Sequence, residues 1–514
     1  MNILPRFEKN ASLLRSSLRQ AVWPLAIFIL ALLPRLVGLG SRSFWLDEVF
    51  TLNRALLAPS ALMVNSFQNH HMPSFFLLLS PLSHTAHPEY WLRLPSAFFG
   101  ACSVVLVFMI AARIAGRRAG CFAALYLGLS PAALGFAQEA RSYTLVMTLI
   151  LVALYGVTRL AQDWRVSKAG WICSVSGTVA ALAVLGDSLP WFIAAHLIFG
   201  CLLAFVPEPR RFILRVLLAD LVILVTTAPL YMFMLHYQSQ GVTTSLEWIP
   251  RLSLSQIWYS FGSVYLMHVP DWVSFRLLSH HAVPGVIWLV DLLLLAALSA
   301  AIWHLRRWPE MLITQGISFL FLPCLFLVVS ITHPVLLPRY LLWSAAPFAI
   351  LIGVGADTLL RVMPFHGRRL VCAQQLAVLA VAILLSLNVL PYYKDELKPN
   401  WNVAAQKLTE DVRPGDVVLF SDTGAVPILK FYLSDVANVT ILSSPYTSLT
   451  DAEAALKHGK RVWIIYGHAG QNASTRASFK AQLQKLGEPS LIQKAGKRIT
   501  IALYDPALRS VSGG

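Results

Sequence analysis

The sequence predicts an α-helical polytopic membrane protein with about eleven transmembrane helices, juxtamembrane helices in the first outer loop and a small C-terminal α/β domain. Three observations predict this class. The chain of 514 residues is 57% hydrophobic and only 13% charged, whereas soluble domains are roughly 25% charged. Repeated apolar runs approach or exceed the ~18 residues that cross a bilayer. After residue 393 the sequence becomes polar. This composition excludes a cytosolic enzyme, a disordered protein and a disulfide scaffold.

The predicted spans are the long apolar runs of the sequence. They lie at 21–40, 94–112, 119–136, 143–161, 169–187, 189–206, 212–235, 282–303, 311–332, 340–357 and 371–392. The run 73–82 holds only ten residues and is interrupted by Pro81, so it is too short to cross about 30 Å of hydrocarbon. We expect an interfacial helix there.

The distribution of positive charge orients these spans. With the N-terminus in the cytoplasm, eighteen lysines and arginines flank the spans on the cytoplasmic side, against seven arginines in the longer outer loops. This bias is the positive-inside pattern of membrane proteins. The net charge of +16 is therefore interpreted as membrane topology and not as nucleic-acid binding. An odd number of spans places the C-terminal part outside, in a periplasm-like space of a bacterial-type inner membrane.

The chain divides at about residue 394 into a transmembrane domain (1–393) and a periplasmic α/β domain (394–514). In the second part strand-like runs alternate with helical ones, which is typical of α/β domains. The predicted strands are Asp416–Phe420, Val439–Leu442, Arg461–Ile465 and Arg498–Tyr504, and the predicted helices are Val426–Leu433, Asp451–Lys457 and Thr475–Leu486. The domain contains no glycine-rich phosphate fingerprint.

Two adjacent carboxylates follow the first span by a few residues. A carboxylate pair near the membrane surface is costly to desolvate, so Asp47 and Glu48 are candidates for a general base and for a partner that orients it or binds a cation. The alternative is a solvated acidic turn, with Asp47 as the N-cap of a helix over 49–57. A divalent cation beside this pair is left open.

Further candidates lie in other outer segments. His70 and His71 precede the short apolar run, Glu139 and Arg141 lie between two spans, and Arg339 opens the tenth span. A guanidinium group offers a fixed fork of donors to phosphate. The alternatives are plain surface histidines, an Arg–Glu surface pair and an arginine that snorkels to headgroups. All these residues fall on the outer face, which favours a site for a phosphate-bearing lipid.

The order of several short motifs resembles one family of membrane enzymes. They read Leu46-Asp47-Glu48, His71-Met72-Pro73-Ser74-Phe75-Phe76, Arg93-Leu94-Pro95-Ser96, Gly116-Arg117-Arg118, Ser130-Pro131 and Gln138-Glu139-Ala140-Arg141-Ser142-Tyr143. The sequence is similar to the GT-C-fold glycosyltransferases that use polyprenyl-phosphate sugars. Relatives include protein O-mannosyltransferases and the aminoarabinose and galacturonic acid transferases of lipopolysaccharide. Departures from the family pattern are Met72, Gln138 and Asn402.

The resemblance implies an inverting sugar transfer outside the cytoplasm. Asp47 would be the general base beside Glu48, and the donor's phosphate and sugar would be bound by His70, His71, Glu139, Arg141, Tyr143, Arg339 and Tyr340. The implied partners are a polyprenyl-phosphate-linked sugar, membrane lipids, and a lipid A or lipopolysaccharide, other lipid, glycan or protein acceptor. The alternative is a membrane lipid or sugar transporter or flippase, a class that places ionisable residues in its spans.

Overall fold

The structure is a computed structural model that describes residues 22–238, 249–269, 285–362, 367–394, 398–420, 426–434, 439–443, 449–466, 473–496 and 498–509. The helices of the membrane part are α1 (Val22–Leu36), α2 (Leu46–Ala55), α3 (Pro59–Gln68), α4 (Ser74–Leu79), α5 (Pro88–Ala115), α6 (Arg117–Gly128), α7 (Pro131–Ala137), α8 (Tyr143–Asp163), α9 (Lys168–Val184), α10 (Leu189–Leu202), α11 (Pro209–Gln238), α12 (Leu254–Tyr265), α13 (Val286–Leu305), α14 (Pro309–Val329), α15 (Pro338–Leu341), α16 (Ala345–Arg361) and α17 (Gly367–Lys394).

The C-terminal part contains five helices and five strands in the described residues. The helices are α18 (Trp401–Asp411), α19 (Val426–Tyr432), α20 (Thr450–Lys457), α21 (Ala473–Lys485) and α22 (Pro506–Arg509), and the strands are β1 (Val417–Phe420), β2 (Thr440–Ser443), β3 (Val462–Tyr466), β4 (Leu491–Ala495) and β5 (Ile499–Tyr504).

The chain is a multi-pass membrane protein. Seven helical segments of the described residues are long and apolar enough to span a bilayer, and α6 with α7 forms an eighth if the bent pair is one span. The shorter apolar helices α1 and α9, and a third ending at Leu202, coincide with three more of the predicted runs. Each of the eleven predicted runs thus coincides with an apolar helix, whereas the number of crossings stays a prediction.

The third predicted span is broken. Helices α6 and α7 meet at an angle of 64°, where Pro131 begins α7 and the Ser130 hydroxyl caps it by accepting the N–H of Ala133 at 3.4 Å. The break frees the carbonyl of Gly128, and the buried Arg35 of α1 donates to it at 3.3 Å. The bend turns the end of α7 toward the outer loops, where the predicted site residues lie.

Helix α16 is the centre of the bundle, with 94% of the apolar window of its span buried inside the protein. Its glycines allow close approach of the neighbouring helices, as small residues do in membrane bundles. A Cβ at Gly355 would lie 1.7 Å from the carbonyl oxygen of Ala297 in α13, and a Cβ at Gly353 would lie 2.4 Å from that of Ala119 in α6. At the end of α16, Asp357 is paired with Arg118 at 2.9 Å.

The first outer loop folds into the three short helices α2, α3 and α4. The apolar run 73–82 forms α4 and one 3-10 turn, and it buries Phe75, Phe76 and Leu79. It is therefore not a span, as its length predicted. Trp45, not Asp47, is the N-cap of α2, and the helix begins at Leu46. The prediction of Asp47 as an N-cap is wrong, because the Glu48 side chain accepts the Trp45 N–H instead.

The C-terminal sheet has the strand order β2-β1-β3-β5-β4. Strands β2, β1 and β3 are parallel, whereas β5 is antiparallel to both β3 and β4. The four predicted strands and three predicted helices coincide with observed elements within two residues. Strand β4 was missed, because as an edge strand it buries only Ala495 and its sequence shows no apolar run. The division into domains at residue 394 stays a prediction.

We predict that Gly355→Ala destabilises the protein. The added methyl group would overlap the Ala297 carbonyl, and such overpacking costs about 1–3 kcal/mol. The change would be measured as the free energy of unfolding in detergent. The matched control is Gly316→Ala on α14, where a Cβ meets nothing within 4 Å. Equal stability of the two variants would contradict the close packing of α13 against α16.

Candidate active site

Most of the predicted site residues meet at one end of the bundle. They arrive on separate pieces of chain: the start of α2, the turn before α4, the turn between α7 and α8, and the start of α15. Gln138 holds the turn between α7 and α8 against the end of α1. Its Nε2 donates to the carbonyl of Val37 at 2.7 Å and to that of Arg35 at 3.0 Å, while its Oε1 accepts the Tyr392 hydroxyl at 2.7 Å. A neutral amide, which both donates and accepts, suits this bridge.

Glu48 is fully buried and forms a two-pronged ion pair with Arg93. The Arg93 Nε lies 2.7 Å from Oε1 and its Nη2 lies 2.8 Å from Oε2. The backbone N–H of Ala140 also donates to Oε1, at 2.9 Å. Burial acts to raise the pKa of Glu48, but the Arg93 charge and these hydrogen bonds hold that pKa below its ordinary value. Both oxygens are occupied, so this carboxylate is built to fix the backbone around it.

Arg93 uses all five of its N–H groups. Besides Glu48 it donates to the carbonyls of Leu39 at 2.9 Å, Arg42 at 2.7 Å and Ser43 at 2.9 Å. Arg93 therefore ties the start of α5 to the segment between α1 and α2 and, through Glu48, to α2 itself. Removing the guanidinium charge from water is costly. This cost is offset here because the charge is paired and every N–H group has a hydrogen-bond partner.

Asp47 is more accessible than Glu48. Its side chain is 25% exposed, and its Oδ2 accepts Nη1 of Arg339 at 2.8 Å. Its Oδ1 accepts no hydrogen bond from the described residues. Burial acts to raise the pKa of Asp47, but the charges of Arg141 and Arg339 lower that pKa below its ordinary value. Asp47 is therefore ionised at neutral pH, with one carboxylate oxygen open. Arg339 does not snorkel to headgroups, because this ion pair holds it at the site.

The first of two hollows beside Asp47 is lined by His71, Met72, Phe75, Phe76, Arg141, Ser142, Val184 and Leu185. We call it the histidine hollow. The ring of Phe76 contacts two polar groups there. The His71 ring lies 5.9 Å away, edge-on, and the Arg54 guanidinium lies 4.5 Å from the Phe76 ring centroid.

The histidine hollow carries uncompensated positive charge. Arg54 donates Nε to Asn65 at 2.9 Å, but its buried Nη1 and the buried Nε of Arg141 have no hydrogen-bond partner among the described residues. No carboxylate of the described residues forms an ion pair with Arg54 or Arg141. Burial and Arg141 lower the pKa of Arg54 to about 10, so it stays charged. Burial, together with Arg141 and Arg54, lowers the pKa of His71 to about 3, so its imidazole is neutral.

The second hollow is lined by Tyr143, Val146, Leu185, Asp187, Arg339, Tyr340, Leu342 and Trp343. We call it the tyrosine hollow. The Arg141 guanidinium lies 5.7 Å from the Tyr143 ring centroid. The Tyr340 ring is stacked on Phe326 at 5.8 Å. Asp47 lies between the two hollows, because it is bonded to Arg339 of one and lies in the field of Arg141 of the other.

Glu139 does not form the Arg–Glu surface pair that the sequence left open. It is buried and is ion-paired with Lys398, which comes from the segment after α17. The Lys398 Nζ lies 4.9 Å from the Trp45 ring centroid, and the Arg339 Cζ lies 5.0 Å from it. Burial raises the pKa of Glu139 although Lys398 opposes this shift. The Glu139 Oε2 has no hydrogen-bond partner among the described residues.

One predicted site residue lies apart. His70 is exposed, has a φ of 60° and is hydrogen-bonded to Gln238 at the end of α11. None of the described contacts joins it to Asp47.

Sequence reasoning also missed two residues of the cluster, Arg54 and Lys398. Arg54 follows Asp47 by seven residues, and two helical turns place such residues on one face, so a helical reading could have found it. No local signal indicated Lys398.

The described residues contain no group of three or more His, Cys, Asp or Glu side chains that could hold a metal ion. Around Asp47 the charged neighbours are mainly guanidinium groups, and Glu48 has both oxygens occupied. This donor set does not fit a divalent cation bound jointly by Asp47 and Glu48.

Comparisons with solved structures identify the fold of this chain. No family model matches the sequence, and no curated protein matches it. Two structures of ArnT from Cupriavidus metallidurans match at 14% identity. The apo structure has a TM-score of 0.54 and covers 95% of this chain and 99% of ArnT. The structure with undecaprenyl phosphate has a TM-score of 0.52, with 94% and 98% covered. The chain has the GT-C fold.

A third GT-C structure shows the same likeness. The oligosaccharyltransferase AglB from Archaeoglobus fulgidus, in complex with an inhibitory peptide and a dolichol-phosphate, matches with a TM-score of 0.55 at 11% identity, and the match covers 95% of this chain and 74% of AglB. At such identities the likeness concerns the GT-C fold alone. The fold that the resemblance implied is thereby confirmed, including its membrane helices and the small C-terminal sheet.

We predict that Glu48→Gln destabilises the protein strongly. The substitution leaves the Arg93 charge buried and unpaired, and breaking a buried pair in this way costs about 3–5 kcal/mol. The free energy of unfolding in detergent would be compared with that of Glu208→Gln. Glu208 pairs with the exposed Arg211, and such surface pairs contribute about 0–1 kcal/mol. A Glu48→Gln variant as stable as this control would contradict the anchoring role of the pair.

Proposed function

We propose that this protein is an integral-membrane glycosyltransferase. It transfers a sugar from a polyprenyl-phosphate-linked donor to a hydroxyl of an envelope acceptor, with inversion. The acceptor is lipid A or lipopolysaccharide, another lipid or glycan, or a protein. The observation that carries the proposal is Asp47, an ionised carboxylate with one open oxygen, near two guanidinium groups, Arg54 and Arg141, that form no ion pair with the described residues. The GT-C fold supports it, since the ArnT and AglB structures contain undecaprenyl phosphate and dolichol-phosphate.

Asp47 is the proposed general base. Its Oδ1 takes the proton of the acceptor hydroxyl, whose oxygen attacks the anomeric carbon from the face opposite the phosphate. The bond between that carbon and the phosphate oxygen breaks, and polyprenyl phosphate leaves with the electron pair. A base within hydrogen-bond reach typically contributes about 10²–10⁴-fold to rate. Arg339 holds Asp47 at 2.8 Å and so keeps the carboxylate ionised and oriented.

Arg141 and Arg54 are the proposed donors to the phosphate, with Arg339 beside them. Negative charge grows on the leaving phosphate, and preorganised cations there stabilise the transition state. The unpartnered N–H groups of Arg54 and Arg141 supply hydrogen bonds, and the neutral His71 adds one more polar contact. A bound phosphate also offsets the charges that lower the pKa of Asp47. Donor binding therefore raises that pKa toward its ordinary value and makes Asp47 a stronger base when it is needed.

The remaining residues have supporting roles in this proposal. Glu48 orients the start of α2 through Arg93 and does not exchange protons with substrate. Tyr143 and Tyr340 form the wall of the sugar site in the tyrosine hollow, and Glu139 offers its open Oε2 to a sugar hydroxyl. His70 is outside this set, because it bonds Gln238.

The reaction as proposed needs no cofactor, since the sugar arrives already activated and guanidinium groups supply the positive charge. We place the protein in a bacterial-type inner membrane with a cytoplasmic N-terminus, and we place the site and the sheet on the periplasmic side. A transporter or flippase is not favoured, because the candidate site residues gather at one end of the bundle, whereas the predicted spans hold few charged residues.

The central experiment compares the envelope lipids and glycans of cells with and without the gene by mass spectrometry. The difference identifies the sugar and the acceptor together. Purified protein is then given the corresponding polyprenyl-phosphate sugar, and release of polyprenyl phosphate is measured. Identical envelopes and no release by the purified protein would refute the proposed activity.

We predict that Asp47→Asn reduces transfer by at least about 10²-fold, the lower range for loss of a general base. The amide keeps the shape of the carboxylate but cannot accept the proton. Turnover would be measured together with the melting temperature in detergent. The control is Asp451→Asn on α20, an exposed carboxylate far from the cluster in sequence. Retained activity in the Asp47 variant would remove Asp47 as the base.

We predict that Arg54→Gln and Arg141→Gln each weaken binding of undecaprenyl phosphate. Charge-assisted hydrogen bonds contribute about 1.5–3 kcal/mol, so we expect each dissociation constant to rise about 10–100-fold. Binding would be followed by thermal shift with undecaprenyl phosphate and, as the matched ligand, undecaprenol, which lacks the phosphate. Arg159→Gln, at the other end of α8, is the control variant. Equal affinity of the Arg54 and wild-type proteins for undecaprenyl phosphate would exclude Arg54 from the phosphate site.

A further inference from the structure

The segment 42–45, which leads into α2, is held along its length by residues at the end of the last span and beyond it. Nη2 of Arg42 donates to the carbonyl of Tyr392 at 2.5 Å. The Ser43 hydroxyl donates to the carbonyl of Pro399 at 3.0 Å and accepts the N–H of Trp401 at 3.1 Å. These contacts join residues 350 to 358 positions apart in the sequence, so they are tertiary contacts of the folded chain.

Phe44 is held by α19 of the C-terminal part. Its N–H donates to the Tyr432 hydroxyl at 2.7 Å, and that hydroxyl donates to Oε1 of Glu89 at 2.9 Å. The Phe44 ring packs against Phe431 with centroids 5.7 Å apart. A single tyrosine hydroxyl thus links the C-terminal part both to the segment before α2 and to the start of α5.

Trp45 and Glu139 share one partner, Lys398. Its ammonium group is paired with the Glu139 carboxylate and lies 4.9 Å from the Trp45 ring centroid. Trp45 is the N-cap of α2, and Asp47 follows it by two residues. The position of Lys398 therefore bears on both the helix that carries Asp47 and the loop that carries Arg141.

The membrane part does not hold this segment by itself. Arg93 takes the carbonyls of Leu39, Arg42 and Ser43, but it forms no hydrogen bond with the backbone of Phe44 or Trp45. The C-terminal part supplies contacts at Ser43 and Phe44, and Lys398 lies with Arg339 against the Trp45 ring. The position of the first turn of α2 therefore depends on both parts of the chain.

We propose that the C-terminal part of the chain is a working part of the active site, in which Lys398 and Tyr432 are positioning residues for Asp47 and Glu139. This inference rests on the proposed function. It assigns residues 398–401 and helix α19 a role in the geometry of transfer itself. Displacing a catalytic group by about 1 Å can cost roughly 10²-fold in rate, so loss of either contact acts on turnover more than on donor affinity.

The experiment measures kcat and the donor KM of Lys398→Met, Lys398→Arg and Tyr432→Phe in the full-length protein. We expect kcat to fall at least about tenfold in Lys398→Met and Tyr432→Phe, with the donor KM changed less than threefold. Lys398→Arg keeps the charge and should recover most of kcat. The melting temperature in detergent is recorded for every variant.

The controls are a lysine and a tyrosine of the C-terminal part with no described contact to residues 42–45. Lys407→Met removes a lysine that bonds the Lys494 carbonyl, and Tyr466→Phe alters a tyrosine that packs on Phe479. Both controls should retain wild-type kcat.

Wild-type kcat in Lys398→Met and Tyr432→Phe would overturn the inference. So would loss of activity that follows the melting temperature in both variants, since that pattern assigns the contacts to folding alone. Absence of transfer by the wild-type protein would refute the proposed function instead, so the two failures are distinguishable.

Discussion

The Arg93 guanidinium is the constraint on which the site depends. It lies near the start of the second long helix, and each of its five N–H groups has a partner: two contact Glu48 and three contact carbonyls before α2. The segment between α1 and α2 must therefore pass next to Arg93, and α2 must begin where the Glu48 carboxylate can reach the Arg93 guanidinium. The adjacent Asp47 takes no part in these contacts with Arg93, so its carboxylate faces the two hollows. One carboxylate of the dyad fixes the backbone so that the other is available for chemistry.

Charge balance is the reason for proposing that the cluster binds a phosphate. Arg93 is balanced by Glu48, Lys398 by Glu139 and Arg339 by Asp47, each in a described ion pair. Arg54 and Arg141 have no such partner among the described residues. Buried charges are normally paired, and two unpaired guanidinium groups beside an open hollow are therefore arranged for an anion. The proposed phosphate completes the set.

The sequence predicted the fold well because apolar length and charge bias are local signals. Each of the eleven runs coincides with an apolar helix, and the short run 73–82 was correctly separated by its length. The broken third span was not foreseen, although Pro131 lies at the break, because the run is apolar throughout and the bend depends on contacts such as that of Arg35 with Gly128. Strand β4 was missed because an edge strand leaves most of its side chains in solvent.

The residues of the site could largely be predicted from the sequence, but the ion pairs that they form could not. The topology predicted from positive charge placed Asp47, Arg141, His71 and Arg339 on one face of the membrane, and the structure brings them together at one end of the bundle. The predicted topology did not show that Glu48 belongs to Arg93, nor that Glu139 belongs to Lys398, 259 residues away. These ion pairs depend on how distant parts of the chain pack together, so the spacing of residues along the sequence does not indicate them.

The uncharged state of His71 has a consequence for the environments in which the protein works. Its pKa of about 3 keeps the imidazole neutral at mildly acidic as well as at neutral pH, and arginine side chains keep their protons throughout that range. The positive charge of the cluster is therefore the same at mildly acidic pH as at neutral pH. An imidazole with its ordinary pKa of about 6.5 at this position would instead gain a proton as the pH falls.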